Sequence, residues 1–234
     1  SGELLGRVAG LFFVLNNCST SDEMQQIAMN ITPKLTELEN DISLNPELFA
    51  RVKAVYDQRK KLKLDEQDMQ LLEDTYKGFA RSGALLEGRD KELYREYSSE
   101  LSQLTLKFGQ NAQAATNAFS YNITDPAKVE ELPAFVKEGL AAEAEARGEK
   151  GWTVTLHAPS YSPFMTYSTQ RDIKEALYRA YNTRGIGGET DNVENIRRIA
   201  ELRLKIANLL GYKCYADYVL EDRMAESTKT VNGF

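Results

Sequence analysis

The chain has 234 residues, 42% hydrophobic and 27% charged, with a net charge of -6. This is the composition of a folded globular chain rather than a disordered one. Its acidic excess argues against nucleic acid as a partner, and no apolar run approaches the ~20 residues that would make the membrane one.

The first elements carry a helical period. Leu11 to Leu15 (LFFVL) reads as a buried helix face. Thr20-Ser-Asp-Glu23 has the form of a capping box with Thr20 as the N-cap. Met24, Ile27, Ile31, Leu35, Leu38 and Ile42 follow at spacings of three and four, and Pro33 inside this pattern predicts a kink. Asn45-Pro46 restarts a helix with an N-cap and a proline at its first position, lined on one side by Leu48, Val52 and Val55. Asp65 caps the next, whose stripe runs Met69, Leu72, Tyr76, Phe79, Gly83, Leu86; Gly83 on that stripe predicts close approach of a neighbour. Gly88 ends the segment and Asp90 starts another, with Leu93, Tyr97, Leu101, Leu104, Phe108, Ala112, Ala115 and Phe119 in near-heptad repeat.

The text then changes character. Ser120 to Thr124 is extended, Asp125-Pro126 and Pro133 each open a helix, and Gly148 to Gly151 is a turn. Trp152 to His157 alternates as a strand and is expected to pair with 120–124. Residues 160–168 form a short helical or irregular segment, and 170–183 a helix. Gly185, Gly187 and Gly188 break the chain, Asp191 caps a long helix ended by Gly211, and 215–222 is one more helix. Ser227 to Phe234 opens a further helix. The fold class is mainly α: a multi-helix bundle lobe with at most a small β-ribbon near 120–124 and 152–157.

Chemistry-bearing residues are sparse. His157 is the only histidine, so the two imidazoles of a His-Glu-x-x-His zinc site cannot be assembled here. It reads as a partly buried histidine hydrogen-bonded near a turn; a pH switch or general base would need a partner that the sequence does not display. Asp217 and Glu221 lie four apart with Asp222 adjacent, a spacing able to hold a divalent cation and more simply explained as a solvated acidic face. Gly185-Ile-Gly-Gly188 follows a helix, not a strand, and is no dinucleotide fingerprint. Arg171, Arg179, Arg184, Arg197, Arg198 and Arg203 concentrate in the last third; such a cluster can grip carboxylates, a peptide C-terminus included, but its acidic neighbours favour ion pairs. Seven of the twelve tyrosines fall between Tyr161 and Tyr218, either a peptide-binding wall or amphipathic core. Cys18 and Cys214 support neither a disulfide framework nor a metal knuckle and read as two small buried thiols. No catalytic, cofactor-binding or metal-binding residue is assigned.

Four stretches together resemble one family. They are Asn40 to Tyr56 (NDISLNPELFARVKAVY), Pro159 to Met165 (PSYSPFM), Arg171 to Gly185, and Leu202 to Tyr212 (LRLKIANLLGY) with Tyr215-Ala-Asp-Tyr218 and Met224-Ala225. In order and spacing they are similar to the N-terminal, non-catalytic part of the thimet oligopeptidase-like zinc metallopeptidases, over essentially the whole chain, with every metal ligand of that family absent and no catalytic residue to carry over. The resemblance implies a helix-rich fold around a deep channel and a parent enzyme acting on oligopeptides as a peptidyl-dipeptidase or oligopeptidase. It also implies zinc in that parent, held by a C-terminal catalytic half missing here and not by these residues. Residues 1–234 would then be an N-terminal helical lobe, inactive alone, divisible into a long-helix bundle (1–119) and a ribbon with helices (120–234). The first residues are Ser-Gly rather than Met, which reads as a piece of a longer chain, and apolar and tyrosine surface that the other half covers should lie exposed. Cytoplasm and periplasm are both compatible, the cytoplasm favoured. The alternative is a self-standing helical module that binds proteins or peptides without catalysis.

Overall fold

The computed structural model describes residues 2–234. Among them, eleven α-helices and one two-stranded sheet make the chain mainly α, as its periodicity predicts. The residues divide into two units, 1–106 with 197–234, and 107–196.

The first unit opens with α1 (Glu3–Cys18) and α2 (Asp22–Ser43). The cap of α2 is Ser21, whose hydroxyl accepts the Met24 amide at 3.3 Å, one residue later than the capping box predicts; Thr20 instead donates to Asn16 Oδ1. Helix α2 continues through Pro33. Asn45 caps α3 (Pro46–Asp57) by accepting the Glu47 and Leu48 amides, and Asp65 caps α4 (Glu66–Arg81) by accepting the Asp68 amide, both as expected. The buried residue of α3 is Phe49, which meets the rings of Tyr76 and Phe79 from α4. Leu48, Val52 and Val55 line an outer groove instead. Gly83 lies in the turn past the end of α4 rather than on its stripe, with a positive φ of 87°, and a side chain there would press on Leu44 and Leu86, both at 3.1 Å. The unit is completed by the first part of α5 (Gly88–Ala118), the last part of α9 (Val193–Leu209), α10 (Tyr215–Leu220) and α11 (Thr228–Gly233). Ser227 caps α11 through the Thr230 amide.

Two expectations fail here. The face Leu11 to Leu15 is not buried: Leu4, Val8, Leu11 and Leu15, a row at helical spacing on α1, are 55–72% exposed. The thiols are not buried either, Cys18 being exposed and Cys214 half-buried.

The second unit is built around the ribbon. Strands β1 (Ser120–Ile123) and β2 (Trp152–Thr155) pair antiparallel, Ser120 opposite Thr155 and Ile123 opposite Trp152, in the pairing that the alternation predicts. Gly151, just before β2, has φ 90°, and any Cβ there would stand 2.2 Å from the Ile123 carbonyl oxygen, so only glycine lets the strands meet. Against the ribbon pack α6 (Ala134–Ala146), α7 (Ala158–Tyr167) and α8 (Arg171–Asn182). Ile123, Val136, Leu140, Val154, Phe164, Ile173 and Leu177 close the core. Thr153 and Thr155 are buried too, with the Thr153 hydroxyl bonded to Asn122 and Glu149, so β2 is covered on both faces. The 160–168 segment resolves as helix α7.

Candidate functional site: a tyrosine-walled cleft

Within the first unit, the end of α4 is held against α10 by one side chain. Arg81 donates through Nη1 to Glu221 at 2.5 Å and through Nη2 to the Tyr218 carbonyl at 2.8 Å, and its guanidinium lies 4.5 Å above the Tyr218 ring. A planar fork can satisfy carboxylate, carbonyl and ring at once; an ammonium cannot. The Tyr212 hydroxyl also donates to Glu221. Tyr212 and Tyr215 each meet Tyr218, with ring centroids 5.3 and 5.9 Å apart.

Tyr215 and Tyr218 form one wall of a cleft of about 570 Å³. Tyr94, Ser98 and Ser102 from α5 form another, and Asn40 and Glu39 from α2 a third. Asn40 is buried and donates to the Ser98 hydroxyl at 2.9 Å. Burial pushes the Tyr94 hydroxyl up to about 12, and burial likewise raises Tyr218 and Tyr212, the latter also through Glu221. All three therefore stay protonated at neutral pH. Flat rings, neutral hydroxyls and a side-chain amide suit a peptide, whose backbone supplies donors, acceptors and apolar side chains. The arrangement offers binding; it holds no nucleophile paired with a base.

The acidic trio singled out in the sequence does not converge. Glu221 is taken by Arg81 and Tyr212. Asp222 pairs with Lys77 at 2.9 Å, which holds its carboxyl below the usual range. Asp217 accepts from the Cys214 thiol and the Thr228 hydroxyl. Among the described residues no three of His, Cys, Asp and Glu gather as a metal-ligand group. His157 departs from its expected burial: it is exposed at the start of α7, where its carbonyl accepts the Ser160 and Tyr161 amides while its side chain makes no cap. Gly185 to Gly188 form a turn with positive φ at all three glycines.

Sequence reasoning missed Arg81, Asn40 and Tyr94. The available signal was a second stripe on α5, Tyr94, Ser98 and Ser102 at steps of four, beside the apolar one. Its polar residues were passed over because burial was sought in apolar positions alone.

Residues 164–234 match the family described as Peptidase family M3. Over its whole length the chain is 34% identical to the dipeptidyl carboxypeptidase of Escherichia coli and 33% to that of Salmonella typhimurium, and over 99% of its length it is 29% identical to the oligopeptidase A of S. typhimurium. It spans about a third of these relatives, 35% of each. The resemblance carried by the four stretches is thus borne out: the chain is similar to M3 peptidases, and to the dipeptidyl carboxypeptidases in their N-terminal third. Among the described residues no helix is long and apolar enough to cross a membrane.

Proposed function

We propose that residues 1–234 are the N-terminal, channel-wall lobe of a zinc metallopeptidase that releases C-terminal dipeptides from oligopeptides. The observation that carries this reading is the 34% identity to a dipeptidyl carboxypeptidase over the whole chain. The tyrosine-walled cleft supports it, since its rings and hydroxyls suit a peptide.

The residues present do not fit zinc. The one imidazole stands exposed just before α7, and among the described residues no acidic or thiol group joins it in a ligand set. In this reading the metal and the base that activates water belong to the part of the parent outside these residues. The exposed row on α1 supports the same view, because relatives nearly three times as long have further chain with which to cover it. The substrates of this reading are oligopeptides, and of cytoplasm and periplasm it favours the cytoplasm.

The test is the complete reading frame, expressed and assayed on a C-terminally free peptide with zinc and with a chelator. A frame continuing to a His-Glu-x-x-His, with zinc-dependent dipeptide release that this chain alone lacks, is the expected result. A frame stopping near Phe234 would favour the self-standing binding module. Enzyme-like turnover by residues 1–234 alone would overturn the assignment of the chemistry elsewhere.

A further inference from the structure

Five of the seven arginines in the last third are engaged. Arg179 pairs with Glu175 at 2.8 Å, and Arg198 grips Glu100 through two bonds of 2.6 Å. Arg184 donates to the Thr116 hydroxyl and the Tyr181 carbonyl, Arg203 lies 5.1 Å over the Tyr215 ring, and Arg197 also has a partner. Among the described residues Arg171 and Arg223 have no acidic, hydroxyl, carbonyl or ring partner, and of the two it is Arg171 that stands on a cleft of about 510 Å³ within the second unit.

The other charges around that cleft are disposed of. Glu175 is turned to Arg179. Asp172 pairs with Lys128 at 3.1 Å. Glu131 is occupied by the Thr169 amide at 3.0 Å and the Thr169 hydroxyl at 3.1 Å, which fixes the loop before α8 and holds its own carboxyl below the usual range. Lys174 donates to the Ser168 carbonyl at 3.1 Å, keeping its ammonium at the cleft without a carboxylate. Two cations therefore face a space whose acidic neighbours are spent. Tyr178, 58% exposed, and Met165 supply an apolar wall beside them.

We propose that this cleft takes the free carboxylate end of a short peptide, with Arg171 as its bidentate grip, Lys174 as a second positive charge, and Tyr178 and Met165 against the terminal side chain. The inference rests on the peptidase reading for its ligand class. A guanidinium fork matches the two oxygens of a carboxylate, and the cleft is of the size usual for small ligands, about 300–1,000 Å³. An inorganic anion would use the cations but leave the apolar wall idle.

The experiment titrates isotope-labelled chain, residues 1–234, with alanyl-phenylalanine, its C-terminal amide and inorganic phosphate, reading backbone amide shifts. Saturable binding of the free acid is expected, with shifts confined to 165–178, at least tenfold weaker binding of the amide, and phosphate a poor competitor. Arg171→Gln should lower the free acid to the level of the amide, while Arg51→Gln in the other unit leaves it unchanged; Arg171 is exposed and makes no hydrogen bond, ion pair or ring contact, so the fold should survive. Equal binding of acid and amide, free-acid binding unaltered by R171Q, or phosphate competing as well as the peptide would each overturn the proposal. Binding here needs no metal. Absent binding with intact hydrolysis by the full frame sinks this inference alone, and intact binding without hydrolysis sinks only the peptidase reading.

Discussion

Asn192 reaches Phe108 across 84 positions of sequence, its Nδ2 donating to the Phe108 carbonyl at 3.1 Å. Its Oδ1 accepts from Asn111 at 3.1 Å and Asn195 at 2.9 Å, while its amide donates to the Gly185 carbonyl at 2.8 Å. The residue is 2% exposed. One residue thus ties the end of α5 and the start of α9 through its side chain, and the glycine turn through its backbone amide, inside the second unit. Asn192→Leu keeps the volume and removes three side-chain hydrogen bonds, although Asn111 keeps its bond to the Asp191 carbonyl. We expect a loss of about 1–3 kcal/mol, since a hydrogen bond contributes about 0.5–1.5 kcal/mol. Trp152, the only tryptophan, sits on β2 in the same unit and reports the urea transition. An unchanged midpoint would show that water replaces the network.

Arg81 makes a second prediction, in the first unit. Arg81→Ala removes the bond to Glu221, the bond to the Tyr218 carbonyl and the contact with the Tyr218 ring together. Its side chain is 14% exposed and that of Glu221 43%, so the ion pair is partly screened and the loss should be about 1–3 kcal/mol. It should appear locally, as faster amide exchange in 215–226. Arg81→Lys should recover little, because an ammonium cannot span carboxylate and carbonyl while stacking. Full recovery by lysine would mean that charge alone matters.

Local signals in the sequence survived folding, and most tertiary ones did not. The Asn45 and Asp65 caps and the helix after Ser227 each depend on a few neighbouring residues, and each appears where the sequence puts it; the pairing of 120–123 with 152–155 is the one longer-range contact that alternation announced, two residues shorter than the 152–157 run. The Ser21 cap was misplaced by one because Thr20 and Ser21 are both competent and only the entry of the chain chooses between them. Burial of Leu11 to Leu15 could not be read, since an apolar stripe says that a face seeks cover, not what covers it. The cleft was least legible: Asn40 and Tyr94 come from different helices, and no periodicity links residues 54 apart.

Glu100 carries the acid limb of stability. Its two 2.6 Å bonds to Arg198 hold its carboxyl below the usual range, first through hydrogen bonding, then against a burial penalty. A carboxylate held low in the folded state stabilises above its unfolded value and loses that stabilisation as pH falls through its folded value. Stability should therefore decline on acidification below the ordinary glutamate range, near pH 4.3. Glu100→Gln should flatten that decline and lower the midpoint at pH 7. A variant with the same acid slope as the parent would assign the decline to Glu131 or Asp222.

Tyr94 governs the opposite limb. Burial raises its hydroxyl from 10.0 to about 12, with Tyr218 and Glu39 adding to the effect. The folded state thus keeps a proton that the unfolded chain gives up at about pH 10. The stabilisation is whole below that pH and is lost as pH climbs towards 12. At about 1.4 kcal/mol for each unit of difference, the loss over the window reaches about 2–3 kcal/mol. Urea midpoints at pH 8, 10 and 11.5, followed with phenolate absorbance, should show Tyr94 ionising only as the chain unfolds. Tyr94→Phe should keep the cleft wall and soften the alkaline decline without abolishing it, because Tyr218 and Tyr212 are raised by burial as well. An identical alkaline slope in Tyr94→Phe would mean that water reaches the hydroxyl in solution, and that the wall between α2 and α5 is open.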